Sequence, residues 1–380
     1  MLIKGDDCMK FSCEKALLVS AIQTASRAAA VKSPVPALEG LLVEAESDKI
    51  QITGYDLKTG ITTSLPGEVT ESGSIVLNAR LFGEIIRKLP EDTVSIEVDA
   101  NQTAKIESSF SEFEILGTPA SDYPELPAID RQNSISLSEK KLKSMIAQTI
   151  FAVSDNEARP IHTGALFEIE KEKLTVVTVD GYRLALKREV LDTENATSFN
   201  FVCPGTALEE VQKIVTDSED NISITLGSKY IVFSIKDTVL LTRRLEGDFL
   251  NYKNSIPQSY KHLIEIDRRE LIESVERVSL IINDRLKSPI RCVFDDGILK
   301  LNAMSALGKA SDECPVSGDG DHLEIGFNNR YILEALKAAP SETIKLQLTS
   351  GVAPCIIVPG DDSAEFLYMI LPVRLKANEG

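Results

Sequence analysis

The sequence predicts an α+β chain built as three copies of one domain, and three observations carry that expectation. A strand-then-helix segment at residues 10–17 recurs at 135–142 and 264–271, with Leu142 lying 125 positions after Leu17 and Leu271 lying 129 after Leu142. A second such segment opens at Leu77 and returns at Val202 and Phe327, 125 positions apart each time. A third register mark, at Tyr55, Val179 and Met304, falls at offsets of 124 and 125. A period of that length is a domain rather than a solenoid unit, and three marks in phase argue against chance.

The elements follow in order. Each copy reads as two βαβββ halves. In the first copy, residues 40–45 and 49–53 alternate apolar with polar and are separated by Glu46-Ser47-Asp48, a turn. Further strands are expected at 60–65, 94–98, 104–108 and 110–116. Two helical stripes stand among them: Ala16, Leu17, Val19, Ile22 and Ala25, then Ala79, Phe82, Ile85, Ile86 and Leu89 before Pro90. Two helices backed by antiparallel strands, three times over, is an α+β architecture. The Pro-rich segment 118–127 and its counterpart 247–257 read as stiff, extended linkers, with Asp122-Tyr123-Pro124 aligning on Asn251-Tyr252. The expected divisions are an N-terminal extension at 1–8, with Met9 an alternative start, domains at 9–127, 128–257 and 258–375, and a C-terminal tail at 376–380.

Composition narrows the function classes. A length of 380 residues suits two or three domains, and the repeat selects three. The chain has no Trp and only 6% aromatic residues, which gives no stacking platform of the kind single-strand binders use. Six cysteines without a C-x-x-C pair fit reduced, buried thiols better than disulfides or zinc, and three dispersed His add nothing to a metal site. No apolar run is long enough for a bilayer and no signal-peptide core opens the chain, so a cytoplasmic protein with no membrane partner is expected. No cofactor is expected either, because the nucleotide-binding loops G-x-x-x-x-G-K-[ST] and G-x-G-x-x-G are absent, as are G-x-S-x-G and H-E-x-x-H. The doublets Asp295-Asp296 and Asp361-Asp362 read as solvated turns.

A net charge of −17 argues at face value against nucleic acid, but its distribution matters more. The six helical segments, 14–30, 78–89, 138–153, 205–216, 267–283 and 328–338, together carry about +4, which leaves about −21 on everything else. Charge alone leaves open whether this marks two different surfaces or scatter within an acidic chain.

Five short segments stand in a telling order and spacing: Met9-Lys10-Phe11, Thr53-Gly54-Tyr55-Asp56-Leu57, the run 119–124, Val179-Asp180-Gly181-Tyr182-Arg183-Leu184-Ala185, and Leu371-Pro372-Val373-Arg374-Leu375. Through them the chain resembles, from Met9 to Leu375, the bacterial DNA polymerase III beta subunit family of replicative sliding clamps. The resemblance implies three clamp-type domains per chain and a head-to-tail homodimer closing a six-domain ring around duplex DNA, helices inside and sheets outside. It implies a non-catalytic processivity factor that binds DNA without regard to sequence and depends on ATP only through a loader. Phosphate contacts hold a duplex without reading it, so such a ring can slide. The basic residues placed on the DNA-facing helices are Arg27, Lys32, Arg80, Arg87, Lys88, Lys140, Lys141, Lys143, Lys213, Arg268, Arg330 and Lys337. Pro204-Gly205-Thr206 stands where relatives often carry basic residues, which weakens the middle domain's share.

The same resemblance implies a pocket where a polymerase alpha-type subunit, the clamp loader and repair proteins dock short linear motifs. Its wall would include Arg159, Val179, Gly181, Tyr182, Arg183, Leu184, Leu250, Met369, Leu371, Pro372, Val373, Arg374 and Leu375. Apolar residues with a few Arg suit a groove that takes Leu and Phe side chains and anchors polar peptide ends. Val179 and Tyr182 depart from the usual Thr-Asp-Gly-His-Arg-Leu, and Leu250 stands where Pro is common, which implies a shifted partner preference; the tail at 376–380 would crowd the pocket. At the ring interface, Phe113 and Ile115 on an edge strand are expected to meet Leu280, Ile281 and a strand at 305–314 of the partner.

Two rival readings stand beside this one. Ser138-Glu139-Lys140-Lys141, Ser154-Asp155-Asn156 and Lys58-Thr59-Gly60 match the three short elements of a serine β-lactamase, but K-T-G comes first and lies in a different copy. A peptide-binding scaffold that does not encircle DNA would share the pocket and lack the basic helices.

Overall fold

The computed structural model describes residues 8–90, 92–191, 198–282, 288–318, 320–361 and 365–375, so residues 1–7 of the expected extension and the whole tail lie outside the described residues. The first third runs β1 (Met9–Glu14), α1 (Lys15–Ala25), β2 (Gly40–Glu46), β3 (Lys49–Tyr55), β4 (Thr59–Pro66), β5 (Glu68–Glu71), β6 (Gly73–Asn78), α2 (Ala79–Lys88), β7 (Thr93–Val98), β8 (Thr103–Ser108) and β9 (Ser111–Leu116). The central third runs β10 (Asn133–Ser138), α3 (Glu139–Ala147), β11 (Gly164–Glu170), β12 (Lys173–Val179), β13 (Arg183–Val190), β14 (Phe199–Pro204), α4 (Gly205–Ile214), β15 (Asn221–Leu226), β16 (Tyr230–Ile235) and β17 (Thr238–Arg243). The last third runs β18 (His262–Asp267), α5 (Arg268–Ser279), β19 (Ile290–Asp295), β20 (Ile298–Ser305), β21 (Gly308–Pro315), β22 (Leu323–Phe327), α6 (Asn329–Ala338), β23 (Thr343–Leu348), β24 (Cys355–Pro359) and β25 (Phe366–Ile370).

The repeated helices share their local chemistry. Each of α2, α5 and α6 begins after a short polar residue whose side chain accepts a backbone N–H of the first turn: Asn78 from Leu81 at 3.0 Å, Asp267 from Glu270 at 2.9 Å, and Asn328 from Tyr331 at 3.2 Å. Pro90 and Pro340 follow α2 and α6 closely, where a missing N–H ends a helix without leaving a donor unpaired.

The chain forms two compact units, one of residues 1–139 and 213–244, the other of 140–212 and 245–380. The first unit holds a five-stranded sheet, β5-β1-β7-β8-β9, and an eight-stranded sheet, β10-β15-β16-β17-β4-β3-β2-β6. Its core gathers Phe11, Leu18, Ile22, Phe82, Ile86 and Ile96, the inward residues of alternating strands and of the two helical stripes. The second unit holds an eight-stranded sheet, β14-β11-β12-β13-β25-β24-β23-β18, and a four-stranded sheet, β21-β20-β19-β22. Its main core includes Ile264, Leu271, Phe294, Leu301, Phe327 and Tyr368.

Each eight-stranded sheet crosses a boundary between thirds, and it does so the same way. In the first unit β17 pairs antiparallel with β4, Thr238 opposite Thr63 and Thr242 opposite Thr59. In the second, β25 pairs with β13, Ile370 opposite Arg183 and Phe366 opposite Lys187. The strand pairs correspond under the repeat: the turn pairing Tyr55 with Gly60 recurs as Val179 with Leu184, 124 positions on. The first seam is reinforced by hydroxyl pairs, Thr63 with Thr238 at 2.9 Å and Thr59 with Thr242 at 3.4 Å. An uninterrupted hydrogen-bonded ladder makes each boundary continuous sheet.

The two expected linkers are docked rather than extended in solvent. Tyr123 is buried with Ala37, Leu38, Tyr55 and Val76, and its hydroxyl donates to the Thr53 carbonyl at 3.3 Å. Tyr252 is buried against Leu166, Val202 and Ile356 and donates to Glu168 Oε2 at 2.6 Å. The aligned tyrosines are therefore pins, each burying a ring and satisfying its hydroxyl. All six cysteines are free; Cys8 is exposed and the other five are buried. Burial pushes the Cys13 and Cys355 thiols up to about 12 and Cys314 up to about 11, which makes them poor nucleophiles.

Candidate peptide and nucleic-acid surfaces

The basic residues expected to face DNA sit on or beside the six helices. Arg27 lies in the 3-10 turn after α1 and Lys32 just beyond it, both exposed. Arg80, Arg87 and Lys88 are exposed on α2, where Arg80 pairs with Glu84 at 3.1 Å. Lys140, Lys141 and Lys143 occupy α3, with Lys141 Nζ donating to the Val190 carbonyl at 3.0 Å, and Lys213 is exposed near the end of α4. Arg330 and Lys337 are exposed on α6 and paired with Glu334 at 2.8 Å and Glu276 at 2.7 Å. Exposed pairs of this kind contribute little, so these side chains can be drawn to phosphate at small cost.

Arg268 is engaged within its own chain. It is half-buried, and its guanidinium donates to the carbonyls of Ser341 at 2.7 Å and Leu336 at 3.3 Å. It satisfies carbonyls at the end of α6, where a cation also complements the helix dipole. That is a capping role.

In the second unit Val179, Gly181, Tyr182, Arg183, Leu184 and Met369 lie on β12, the β12–β13 turn, β13 and β25 at one end of the eight-stranded sheet, residues 371–375 follow β25, and Arg159 and Leu250 precede the 3-10 turns Pro160–Thr163 and Tyr252–Asn254. Val179, Leu184 and Met369 are buried in one cluster with Leu166, Leu186 and Ile356. Asp180 shapes the turn between β12 and β13: its Oδ1 accepts the N–H groups of Tyr182 at 2.8 Å and Arg183 at 2.9 Å. Gly181 takes φ +91°, a left-handed conformation that other residues adopt with strain. Tyr182 is 60% exposed and stacks on Tyr331, ring centroids 6.0 Å apart. Leu371 N donates to the Tyr182 carbonyl at 2.8 Å, and Val373 N to Gly326 at 2.8 Å, so residues 371–375 lie along this wall. Leu371, Pro372, Val373 and Leu375 are half-buried, and Arg374, Arg159, Gly181 and Leu250 are exposed.

Arg183 is held by its own chain. It is 5% exposed, with Nε donating to Asp180 Oδ2 at 2.8 Å, one Nη to Glu334 and the other to the Phe151 carbonyl at 2.5 Å. Its guanidinium lies 4.5 Å from the Tyr331 ring centroid and 5.3 Å from that of Phe151. A guanidinium so engaged fastens the β12–β13 turn to α6. Sequence reasoning missed Tyr331 and Glu334; the Arg330–Glu334 spacing of a helical ion pair was the available signal for the latter.

Of the expected interface residues, Phe113 and Ile115 lie on the edge strand β9, and Leu280 and Ile281 follow directly on α5. Among the described residues β9 pairs only with β8, Phe113 is 41% exposed, Ile115 is half-buried on the core, and Phe110 and Leu116, not singled out from sequence, are more exposed still. Leu280 is 82% exposed at the end of α5 while Ile281 packs on the core of the second unit. The strand expected at 305–314 is divided: Ser305 closes β20, Ala306-Leu307 turn, and β21 runs Gly308–Pro315 as the free edge. The Ser305 hydroxyl, accepting from Leu307 N at 3.0 Å, makes that turn.

Among the described residues no group of three or more His, Cys, Asp or Glu is placed to hold a metal, and no helix is long and apolar enough to cross a membrane. The fold is a thrice-repeated α+β chain with exposed basic residues on or beside its helices and open sheet edges at β9 and β21 among the described residues. Family models for the N-terminal, central and C-terminal domains of the DNA polymerase III beta subunit match residues 9–127, 136–251 and 253–374. The beta sliding clamp of Bacillus subtilis is 32% identical over 387 residues, covering 96% of this chain and 100% of that protein. That of Staphylococcus aureus is 31% identical over 377 residues, covering 96% and 99%. The solved DNA polymerase sliding clamp from Bacillus subtilis matches with a TM-score of 0.93 at 31% identity, covering 97% of this chain and 100% of that one. The beta subunit from Streptococcus pyogenes DNA polymerase matches with 0.92 at 28% identity, covering 96% and 100%. The chain belongs to the DNA polymerase III beta subunit family.

Proposed function

We propose that this chain is a DNA sliding clamp: two copies join head to tail in a ring around duplex DNA and tether a replicative polymerase to its template. The observation that carries the reading is the pair of seams. Where thirds meet within the chain, the strand after a β12–β13-type turn pairs with the last strand of the following half, as β4 with β17 and β13 with β25. The corresponding strands β21 and β9 each keep one free edge among the described residues, and a second copy supplies each with its missing neighbour. The exposed basic residues of the helices then serve DNA phosphate, while the acidic remainder discourages contact elsewhere. Domains at 9–127, 128–257 and 258–375 are the units of the ring.

The role is non-catalytic and cytoplasmic, and the groove at Tyr182, Leu184, Leu250, Met369 and residues 371–375 docks short motifs of a polymerase alpha-type subunit, a clamp loader and repair proteins. The test is the length of DNA a bacterial replicative polymerase makes in one binding event, with a clamp loader and ATP, in the presence and absence of this protein. The proposal expects products lengthened at least tenfold. Equal products with bound polymerase would favour the peptide-binding scaffold without encirclement.

A further inference from the structure

One carboxylate in the second unit is shared between a basic residue of α6 and the turn that borders the groove. Glu334 accepts from Arg330 Nε at 2.8 Å through Oε1 and from Arg183 through Oε2. The two guanidiniums differ in setting. Arg330 is 67% exposed, one turn earlier on the same helix, whereas Arg183 is buried and holds the β12–β13 turn through Asp180 and the Phe151 carbonyl. Tyr331, next to Arg330 in sequence, places its ring 4.5 Å from the Arg183 guanidinium and stacks on Tyr182 in that turn. Exposed Arg330, half-buried Glu334, buried Arg183 and the turn thus form one unbroken line of charged contacts. At the first seam the positions corresponding to Arg183 and Arg330 are Thr59 and Gly205, neither of them a cation, so the arrangement belongs to the seam that bears the groove.

We propose that Glu334 is a positioning residue of the docking groove and couples it to the duplex: when a DNA phosphate draws Arg330 away, the carboxylate falls wholly to Arg183, the β12–β13 turn is held more firmly, and a docked motif binds more tightly. This rests on the ring and groove reading above and deepens it. The step is an exchange of ionic partners, with no covalent change. Two cations that share one carboxylate each weaken its pull on the other. An exposed pair gives up its partner at small cost, while the pair that reaches a buried guanidinium is screened far less. Linkage requires the reverse as well, so a docked motif tightens the hold on duplex by the same factor. Docking then favours a protein that already surrounds DNA over one free in solution.

The test is the dissociation constant of a fluorescein-labelled pentapeptide ending in Leu-Phe, read by anisotropy at about 50 mM salt with and without a saturating duplex of about 30 base pairs. Circular dichroism melts establish that each variant folds. Duplex should tighten peptide binding to wild type about threefold, the scale of one partly exposed ion pair. Arg330→Gln should show the tighter affinity without DNA and gain nothing further from it. Glu334→Gln should bind peptide more weakly and lose the dependence on DNA, a readout that a merely structural role would not move. Arg269→Gln removes the same charge from an exposed pair on α5, with Glu273 at 3.0 Å, and should leave peptide affinity unchanged. Wild-type affinity that is the same with and without bound duplex, or an Arg330→Gln protein no tighter than wild type, would overturn the coupling and leave the ring and groove standing. A wild-type protein that binds no duplex, or no peptide, would overturn the coupling together with the reading it rests on.

Discussion

Replacing Arg183 with Ala should unfasten the second unit at the turn that carries Tyr182. The side chain is nearly fully buried and joins Asp180, Glu334 and the Phe151 carbonyl. Removing one member of a buried ion pair costs about 3–5 kcal/mol, because the partner charge is left without compensation. Glu334 keeps Arg330 at 2.8 Å, so the stranded charge is chiefly Asp180 and the lower end of that range applies. Loss of the guanidinium between Tyr331 and Phe151 adds about 1 kcal/mol, for a loss of about 4 kcal/mol in all. At about 2–4 °C per kcal/mol for a body of this size, the corresponding melting step should fall by about 10 °C.

The pH dependence gives a second readout. Burial alone would raise the Glu334 carboxyl, but hydrogen bonds from Arg330 and Arg183 and their charges hold it below its ordinary value of 4.5. A carboxyl lowered by folding stabilises fully above its unfolded value and loses that contribution as pH falls through the folded one. The gap between wild type and Arg183→Ala should therefore narrow in acid, below about pH 4.5. Calorimetric melts at neutral pH and in acid check both points. A loss under 1 kcal/mol at neutral pH, or a gap that widens in acid, would refute the reasoning.

Three further expectations follow from single contacts. A Cβ at Gly326 would lie 2.6 Å from the Val373 carbonyl oxygen and 2.7 Å from Leu375 Cδ2, so Gly326→Ala should expel residues 371–375 and cost about 2 kcal/mol; carboxypeptidase trimming that stops where it does in wild type would count against this. Glu139 is 1% exposed, accepts from Thr216 N at 2.7 Å and Oγ1 at 2.8 Å, and has Lys236 Nζ 3.2 Å from its other oxygen; Glu139→Ala should cost the first unit about 2–3 kcal/mol by urea melts. The Tyr368 hydroxyl is buried with no hydrogen-bond partner among the described residues, so Tyr368→Phe should leave stability unchanged or raise it by about 1 kcal/mol, and a drop in the urea midpoint would show a missed partner.

Much of the fold was legible because it repeats. Alternation at 40–45 and 49–53 marked β2 and β3, and the stripes at Ala16 and Phe82 marked α1 and α2, since local periodicity reports which face is buried. The seams were not legible. Alternation in β4 says that one face is buried, but nothing local says that its neighbour is β17, more than 170 residues away. The structural role of Arg183 was hidden for a similar reason: nothing local says that Glu334 arrives from α6 to meet it. Tyr123 and Tyr252 show the middle case, where their alignment across the linkers was visible and its cause, a ring and hydroxyl pinned to the sheet, was not.

The most direct test of the account loads the protein onto nicked circular duplex with a clamp loader and ATP, removes free protein by gel filtration at moderately high salt, and then cuts the circle with a restriction enzyme. A closed ring predicts that the protein stays with the intact circle and leaves once ends are made. Protein that remains equally on cut and uncut DNA, or leaves both alike, would contradict topological linkage and with it the ring.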